Sequence, residues 1–446
     1  MMINRREFVK AGAGAFFIAA SGRAFGAGAA SNRVRLAIVG CHAKGRGNAI
    51  MQSALKVPGV EIAWVCDVDA RAREYAAAKV EELTGRRPRA EKDLRKVLED
   101  PLLDGILSET PDHWHAYSAV LAMKAGKHVY VEKPCCFCPR EGEIMVDVWR
   151  RTGKVLQVGS QRRASANVRA ALAWLKDGNP LGEMRWGKCW YMTNREAIGT
   201  GRAVAVPEWL DWDLWQGPAP RTDYRDNYVH YNWHWFRRWG TAESGNNAPH
   251  FADIARWALG VRFPNRIAVS GGRYFPLKDD DWEWPDTYNM TFDFPGNRLI
   301  TFEMASRVTG EPFMNASTGC LVYADKGSVF FGPDDDVRIF DADNKVVKFW
   351  DKDHAAQTGS RTDPTASLNV RHLANFVDCV RSGSQGTFAP ADEGYMSSYL
   401  PIAGNVAQEI GEAVRTDPET GRPVGCARAM DLWSREYAPG WDLLKI

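Results

Sequence analysis

Three groups of residues in this 446-residue chain have the types and spacing to do chemistry. The first is a glycine turn, Gly40-Cys41-His42-Ala43-Lys44-Gly45-Arg46-Gly47, between a β-branched run and a helical one. Such a turn aims backbone N–H groups and a helix N-terminus at a pyrophosphate. The usual spacing is G-x-G-x-x-G. Its middle position here is His42, whose side chain must push the backbone away from a phosphate or touch it. The second is Asp67, at the tip of the next strand-like run, Val60–Cys66. A carboxylate about 20 residues past the glycines accepts hydrogen bonds from a ribose diol, and it repels a 2′-phosphate, favouring NAD over NADP. The competing reading of Asp67 is an N-cap for the following helix. The third is Glu132-Lys133-Pro134, directly after the strand-like His128–Val131. Ligands of open parallel sheets bind at strand carboxyl ends, and partial burial lowers a lysine towards the range of a working base.

These residues need a scaffold, and the apolar pattern supplies one. Short buried-type runs at 34–39, 60–66, 103–108 and 128–131 alternate with helical stretches at 49–55, 70–84 and 117–125. Alternation of this kind predicts a parallel, doubly wound sheet over residues 31–155. From about Leu156 the pattern changes to recurrent strands at 185–191, 265–271, 289–294, 299–305, 319–322 and 328–331. Residues 367–383 and 397–415 carry apolar side chains at helical spacing, and they are expected to pack back on the core. The fold class is therefore α/β, with a Rossmann sheet followed by an α+β domain over 156–446.

The combination of that first half with Thr110-Pro111-Asp112-His113, Glu132-Lys133-Pro134, Val158-Gly159-Ser160-Gln161 and His250-Phe251-Ala252-Asp253 resembles the glucose–fructose oxidoreductase/inositol dehydrogenase (Gfo/Idh/MocA) family. The resemblance covers most of the chain after residue 30. It implies a second domain with an open, mainly antiparallel sheet, which carries the substrate and the subunit contacts of a homo-oligomer. It also implies an NAD-dependent oxidation at the CH–OH group of a sugar, polyol or glycoside. Gly40, His42, Gly45, Arg46, Asp67, Thr110, Pro111, His113, Glu132, Lys133 and Gln161 then fall on the cofactor, with Thr110-Pro111 on its nicotinamide side. Lys133 and His250 handle the hydroxyl proton. Glu132 orients Lys133 or satisfies buried backbone. Relatives of the sugar dehydrogenase type carry Asp four residues before this histidine. Here the position is Asn246, which cannot accept a proton at neutral pH. Two alternatives accompany the dehydrogenase: a glycoside hydrolase that cycles tightly held NAD through oxidation, elimination and re-reduction, and a non-catalytic sugar-binding protein.

Eighteen tryptophans are unevenly placed, eight of them between 186 and 239. The densest stretch, Tyr231-Asn232-Trp233-His234-Trp235-Phe236-Arg237-Arg238-Trp239, pairs flat rings with polar edges from Asn, His and Arg. This suits a pyranose, so Asn232, Trp233 and His234 join Lys133, Asn246 and His250 as substrate candidates. A core or a subunit interface would use the same composition. The amino terminus reads as an address. Arg5-Arg6 and Lys10 precede an apolar stretch and small residues to Ala30, in the order of a secretory signal of the twin-arginine type. It implies delivery by the Tat machinery to the periplasm, with a short amphipathic helix or a membrane anchor as the competing readings. The formal charge of +2 comes largely from this segment. Nothing suggests nucleic acid binding. Nine cysteines, an odd number, read as buried thiols, and Cys135-Cys136-Phe137-Cys138 lacks the second ligand pair that a metal would need.

Overall fold

The computed structural model describes residues 33–178, 180–275, 278–351 and 366–446; the proposed address at 1–30 lies outside them. Strands and helices alternate through the first part: β1 (Val34–Val39), α1 (Arg46–Leu55), β2 (Val60–Cys66), α2 (Ala70–Thr84), β3 (Arg89–Glu91), α3 (Leu94–Val97), β4 (Gly105–Ser108), α4 (Asp112–Lys124), β5 (His128–Val131), α5 (Pro139–Thr152) and β6 (Leu156–Val158). The six strands form one sheet in the order β3-β2-β1-β4-β5-β6, all parallel. Leu36, Ala37 and Ile38 are fully buried, so β1 is covered on both faces. That explains why its sequence is a continuous apolar run rather than an alternating one.

The second part contains α6 (Ala166–Lys176), β7 (Met184–Met192), α7 (Trp212–Gln216), α8 (Ala242–Leu259), β8 (Arg266–Gly272), β9 (Thr287–Phe294), β10 (Arg298–Ala305), β11 (Thr318–Ala324), β12 (Gly327–Phe331), β13 (Val337–Asp341), β14 (Val346–Trp350), α9 (Ala366–Ser382), α10 (Ala391–Ile410), β15 (Val414–Arg415) and α11 (Ala427–Asp431). Its nine strands run β14-β13-β12-β11-β7-β10-β9-β8-β15. Only the β7–β10 pairing is parallel. The sheet is thus mixed and mainly antiparallel, and α8 packs across its centre.

Some boundaries differ from the sequence reading, for local reasons. Helix α4 begins at Asp112, five residues before the expected Tyr117, because Pro111 takes an extended conformation and caps it. The Thr110-Pro111-Asp112 motif therefore lies at a helix start, not in a free loop. Helix α10 stops at Ile410, where Gly411 turns left-handed at φ +79°; residues 414–415 then form a strand instead of continuing the helix to 415. The pattern reading omitted the helices α3, α5, α6, α7 and α11 and the strands β3, β6, β13, β14 and β15. Helix α9 returns to the first sheet: Leu373, Phe376 and Val377 join Leu36, Ile38 and Ile50 in one cluster. Burying each such side chain contributes about 1.5–3 kcal/mol, so the Rossmann core is completed by residues over 300 positions away.

Between β7 and α8 the chain makes a long excursion over residues 193–241. A cluster of its own, with Trp212, Trp215, Tyr224, Tyr228, Phe236 and Trp239, holds it together. It is also tied to the mouth of the first sheet. Ala70 N–H donates to the Trp209 carbonyl at 2.8 Å, and Asp211 N–H donates to the Val68 carbonyl at 3.1 Å. Lys92 Nζ reaches Asp211 at 2.7 Å. The excursion acts as a strap laid across the carboxyl ends of the strands.

Candidate active site

Under the strap, at the carboxyl ends of β1, β2, β4 and β5, lies a cavity of about 600 Å³. Its first end is built by the glycine turn. Gly40 sits at φ +81°, and a Cβ there would stand 2.5 Å from the Glu109 carbonyl oxygen. A Cβ on Gly47 would stand 1.8 Å from the Gly40 carbonyl oxygen, so the start of α1 and the end of β1 touch as backbone. No side chain caps α1 at Gly45, which leaves its first N–H groups open towards the cavity. That is the arrangement an anionic phosphate requires.

Asp67 lies where the sequence placed it. Its carboxylate accepts from Cys41 N–H at 2.7 Å and from Asp69 N–H at 2.9 Å, and it lines the cavity half-buried. Burial pushes its pKa up, while the two N–H donors oppose that. The N-cap of α2 is Asp69, which accepts from Arg71 N–H, so the competing reading of Asp67 fails. His42 lines the cavity beside the glycine turn. Its ring stacks on His230 of the strap at 4.5 Å, and His230 Nε2 lies 2.8 Å from the buried Asp69 carboxylate. Burial, with His230 next, lowers the His42 pKa. The residues present fit a dinucleotide: an open helix start for phosphate, a fixed carboxylate for a ribose, and a roofed cavity between them.

The other end holds Lys133. Its Nζ donates to the Asn246 carbonyl at 2.7 Å and to Asn246 Oδ1 at 3.1 Å. Burial lowers its pKa, against the raising effect of Glu132 and Asp112. A neutral amine that spends two N–H groups on Asn246 has one tetrahedral position left for its lone pair. Glu132 serves both roles considered for it: one oxygen accepts from Lys133 N–H at 3.1 Å, the other from Arg46 Nε at 3.1 Å. Asn246 Nδ2 donates to Glu243 Oε1 at 3.3 Å, and Glu243, fully buried, is paired with Arg195 at 2.9 Å. This supplies a physical reason for Asn at 246. An Asp would set a second carboxylate against Glu243.

Gly40, His42, Gly45, Arg46, Asp67, Thr110, Pro111, Glu132, Lys133, Trp233, His234 and Asn246 all line the cavity. Four expected residues do not. His113 is fully buried, with Nε2 3.0 Å from the Trp215 carbonyl oxygen, because the first turn of α4 points it into the core. Gln161 is buried in the turn after β6. Asn232 turns away to donate to the Asn227 carbonyl at 2.9 Å. His250 lies one helical turn beyond Asn246, off the cavity wall. Burial, then Lys133, Arg162 and Arg46, hold its pKa well below the usual value. Its ring makes no hydrogen bond among the described residues.

The tryptophans divide between the two roles considered. Trp212, Trp235 and Trp239 are core, whereas Trp215 and Trp233 reach the cavity and His234 stacks on Trp233 at 3.6 Å. The sequence reading missed His230, Asp69, His115 and Glu109, and it included Tyr231 only within the aromatic stretch. His115 links the loops after β4 and β5, its ring nitrogens 2.7 Å from the Thr110 carbonyl oxygen and 2.6 Å from that of Pro134. Its position one turn into α4 was the only available signal. Among the described residues no three His, Cys, Asp or Glu side chains converge as metal ligands.

Residues 34–160 match the model of the Gfo/Idh/MocA oxidoreductase family, NAD-binding Rossmann fold. This part of the chain is similar to the NAD-binding domain of that family. A glycosyl hydrolase family 109 protein of Saccharopolyspora erythraea is 29% identical over 210 residues, 44% of this chain and 45% of the relative. The NAD(+)-dependent scyllo-inositol 2-dehydrogenase of Bacillus subtilis is 30% identical over 137 residues, 30% of this chain and 37% of the relative. The matched region spans less than half of either relative. A solved levoglucosan dehydrogenase, in complex with NADH and levoglucosan, shares the fold at a TM-score of 0.63 and 16% identity, covering 86% of this chain and 99% of that one.

Proposed function

We propose that the protein oxidises a secondary alcohol of a sugar, polyol or glycoside with NAD, and that Lys133 is the base. The observation that carries this reading is the Lys133 amine, half-buried at the cavity wall with two N–H groups committed to Asn246. The dinucleotide supplies a hydride acceptor when bound. Asp67 holds the diol of its adenosine ribose and disfavours a 2′-phosphate. The start of α1 holds its pyrophosphate, and the strap excludes water from above. Lys133 Nζ takes the hydroxyl proton at its free tetrahedral position. Trp233 and His234 offer a ring face and a polar edge to the sugar. His250, neutral and one turn from Asn246, keeps the environment of Lys133 low in positive charge.

A second reading is a hydrolase that oxidises a glycoside transiently, eliminates the aglycone and re-reduces the sugar. It is favoured by the family 109 relative. The same proton handling at Lys133 serves both. Export by the twin-arginine route and assembly as a homo-oligomer belong to this reading of the protein. Native mass spectrometry of protein purified without added cofactor, followed by a sugar and glycoside screen, tests it. Retained NAD(H) and glycoside turnover without net NADH would select the hydrolase. Net NADH from a free sugar or polyol would select the dehydrogenase. No turnover of any compound, with no binding of NAD, would defeat both.

A further inference from the structure

Glu109 follows β4 directly and lines the cavity next to Thr110 and Pro111. Its side chain starts out beside α1, where a Cβ on Gly47 would stand 3.2 Å from the Glu109 Cβ. Both carboxyl oxygens are buried and neither has a hydrogen-bond partner among the described residues. Buried polar atoms are rarely left so, and a buried carboxylate without donors is costlier still.

The charged and titratable groups around Glu109 are known. Arg46 approaches from α1, but its Nε is committed to Glu132 at 3.1 Å and its Nη2 to Asn369 at 2.7 Å. Glu132 and Lys133 face it from the loop after β5, and Tyr130 from β5 itself. Burial first, and then the Glu132 carboxylate, push the Glu109 pKa well up, with Arg46 and Lys133 opposing. The local balance thus favours the neutral acid. Yet Glu109 belongs to the wall of a cavity whose expected occupant changes charge by one unit between its redox forms.

Resting on the oxidoreductase reading, we propose that Glu109 is a positioning residue for charge: it holds a proton when the reduced dinucleotide occupies the cavity and yields it when the oxidised form does. The balance is complete. The alcohol C–H bond breaks and its electron pair leaves with hydrogen as hydride, so the alcohol carbon is oxidised and the dinucleotide reduced. The O–H bond breaks as Lys133 Nζ takes the proton; Lys133 then gives a proton up and returns to the neutral amine, and the proton comes to rest on the Glu109 carboxylate, forming the acid. The positive nicotinamide plus carboxylate on one side equal the neutral ring plus carboxylic acid on the other. A site that keeps its charge constant in this way suits a cycle of oxidation and re-reduction, since the proton is returned with the hydride. Reciprocity follows: if protonating Glu109 favours the reduced form, the reduced form favours its protonation.

The test is infrared difference spectroscopy of the full-length protein loaded with NADH against the same protein loaded with NAD+, in H2O and D2O near pH 7. The expected result is a gained C=O stretch of a protonated carboxyl, shifted down in D2O and absent in Glu109→Gln, which is permanently neutral. Glu109→Ala is read in the same way if the Gln variant fails to fold. Calorimetric titrations in two buffers of different ionisation enthalpy should show greater proton uptake with NADH than with NAD+, and the difference should vanish in the variant. Binding of both dinucleotides with no gained band, or a band that persists in the variant, would overturn the role of Glu109 and leave the oxidoreductase reading standing. Failure of both dinucleotides to bind would sink that reading and this inference together.

Discussion

Replacing Asn246 with Asp probes the Lys133 site with almost no change in shape. The new carboxylate oxygen would stand where Oδ1 now accepts from Lys133 Nζ at 3.1 Å. Its second oxygen would replace an N–H donor that now faces Glu243 Oε1 at 3.3 Å. An opposite charge at such a distance shifts a pKa by about 1–3 units in favour of the charged form. Lys133 is lowered by burial in the native site; the Asp would undo this. Each unit removes about nine-tenths of the neutral amine at pH values below the pKa, so turnover near pH 7 should fall roughly 10- to 1000-fold. The assay is kcat/KM against pH, from 6 to 10.5, on the alcohol or glycoside found by screening. The limb that reports the base should move up by about 2 units, with recovery towards the native plateau at high pH. A loss that is equal at every pH, or a limb that stays in place, would refute Lys133 as the titrating base. Asn246 would then only fix geometry.

Other outcomes can be checked independently. Lys133→Met should lower kcat by about 10²–10⁴-fold while the folded state and NAD binding persist, measured by single-turnover NADH formation. Asp67→Ala removes hydrogen bonds made to a charged group, so NAD affinity should fall by about 10- to 100-fold in a fluorescence titration while NADP binding improves relative to NAD. His230→Ala removes the ring that stacks on His42 and the partner of Asp69; NAD release should quicken about tenfold in stopped flow, given stacking and hydrogen-bond contributions near 1 kcal/mol each. Acid should destabilise the protein. Burial holds His234 and His372 down to about 3. Between that value and about 6.5 the unfolded chain binds more protons than the folded one, so stability is lost as pH falls from 6.5. At pH 5 the loss is about 2 kcal/mol for each histidine, read as a falling urea midpoint, and His372→Asn should reduce the slope. A midpoint independent of pH from 7 to 4.5 would contradict this.

The parts of the site made by local sequence were legible. Gly40, Gly45 and Asp67 are fixed by a strand, a turn and the next strand tip, all within about thirty residues, and their types follow from backbone approach and charge. Lys133 follows from the same logic at β5. What escaped notice depends on contacts across the chain. His230 comes from the strap and meets Asp69 across 161 positions, and no local periodicity announces such a pair. The burial of Glu109 becomes visible only once Gly47, Glu132 and Arg46 surround it. His113 was misplaced because the start of α4 was set too late: once Pro111 caps the helix, position 113 points into the core. The tryptophans show the limit of composition. Trp212 and Trp239 build the strap's own core, while Trp233 alone of the 231–239 tryptophans lines the cavity. The same ring chemistry fits either role, and only placement separates them.

The central claim is that hydride leaves a sugar carbon for NAD while Lys133 takes the proton. It is tested most directly by offering the protein a panel of sugars, polyols and glycosides deuterated at the ring carbons, and reading the nicotinamide by mass spectrometry. The account predicts one deuterium in the dinucleotide from the substrate that is turned over, whether NADH accumulates or the label cycles back, and no label with Lys133→Met. Substrate turnover by the native protein with no deuterium reaching the nicotinamide at any stage would contradict it.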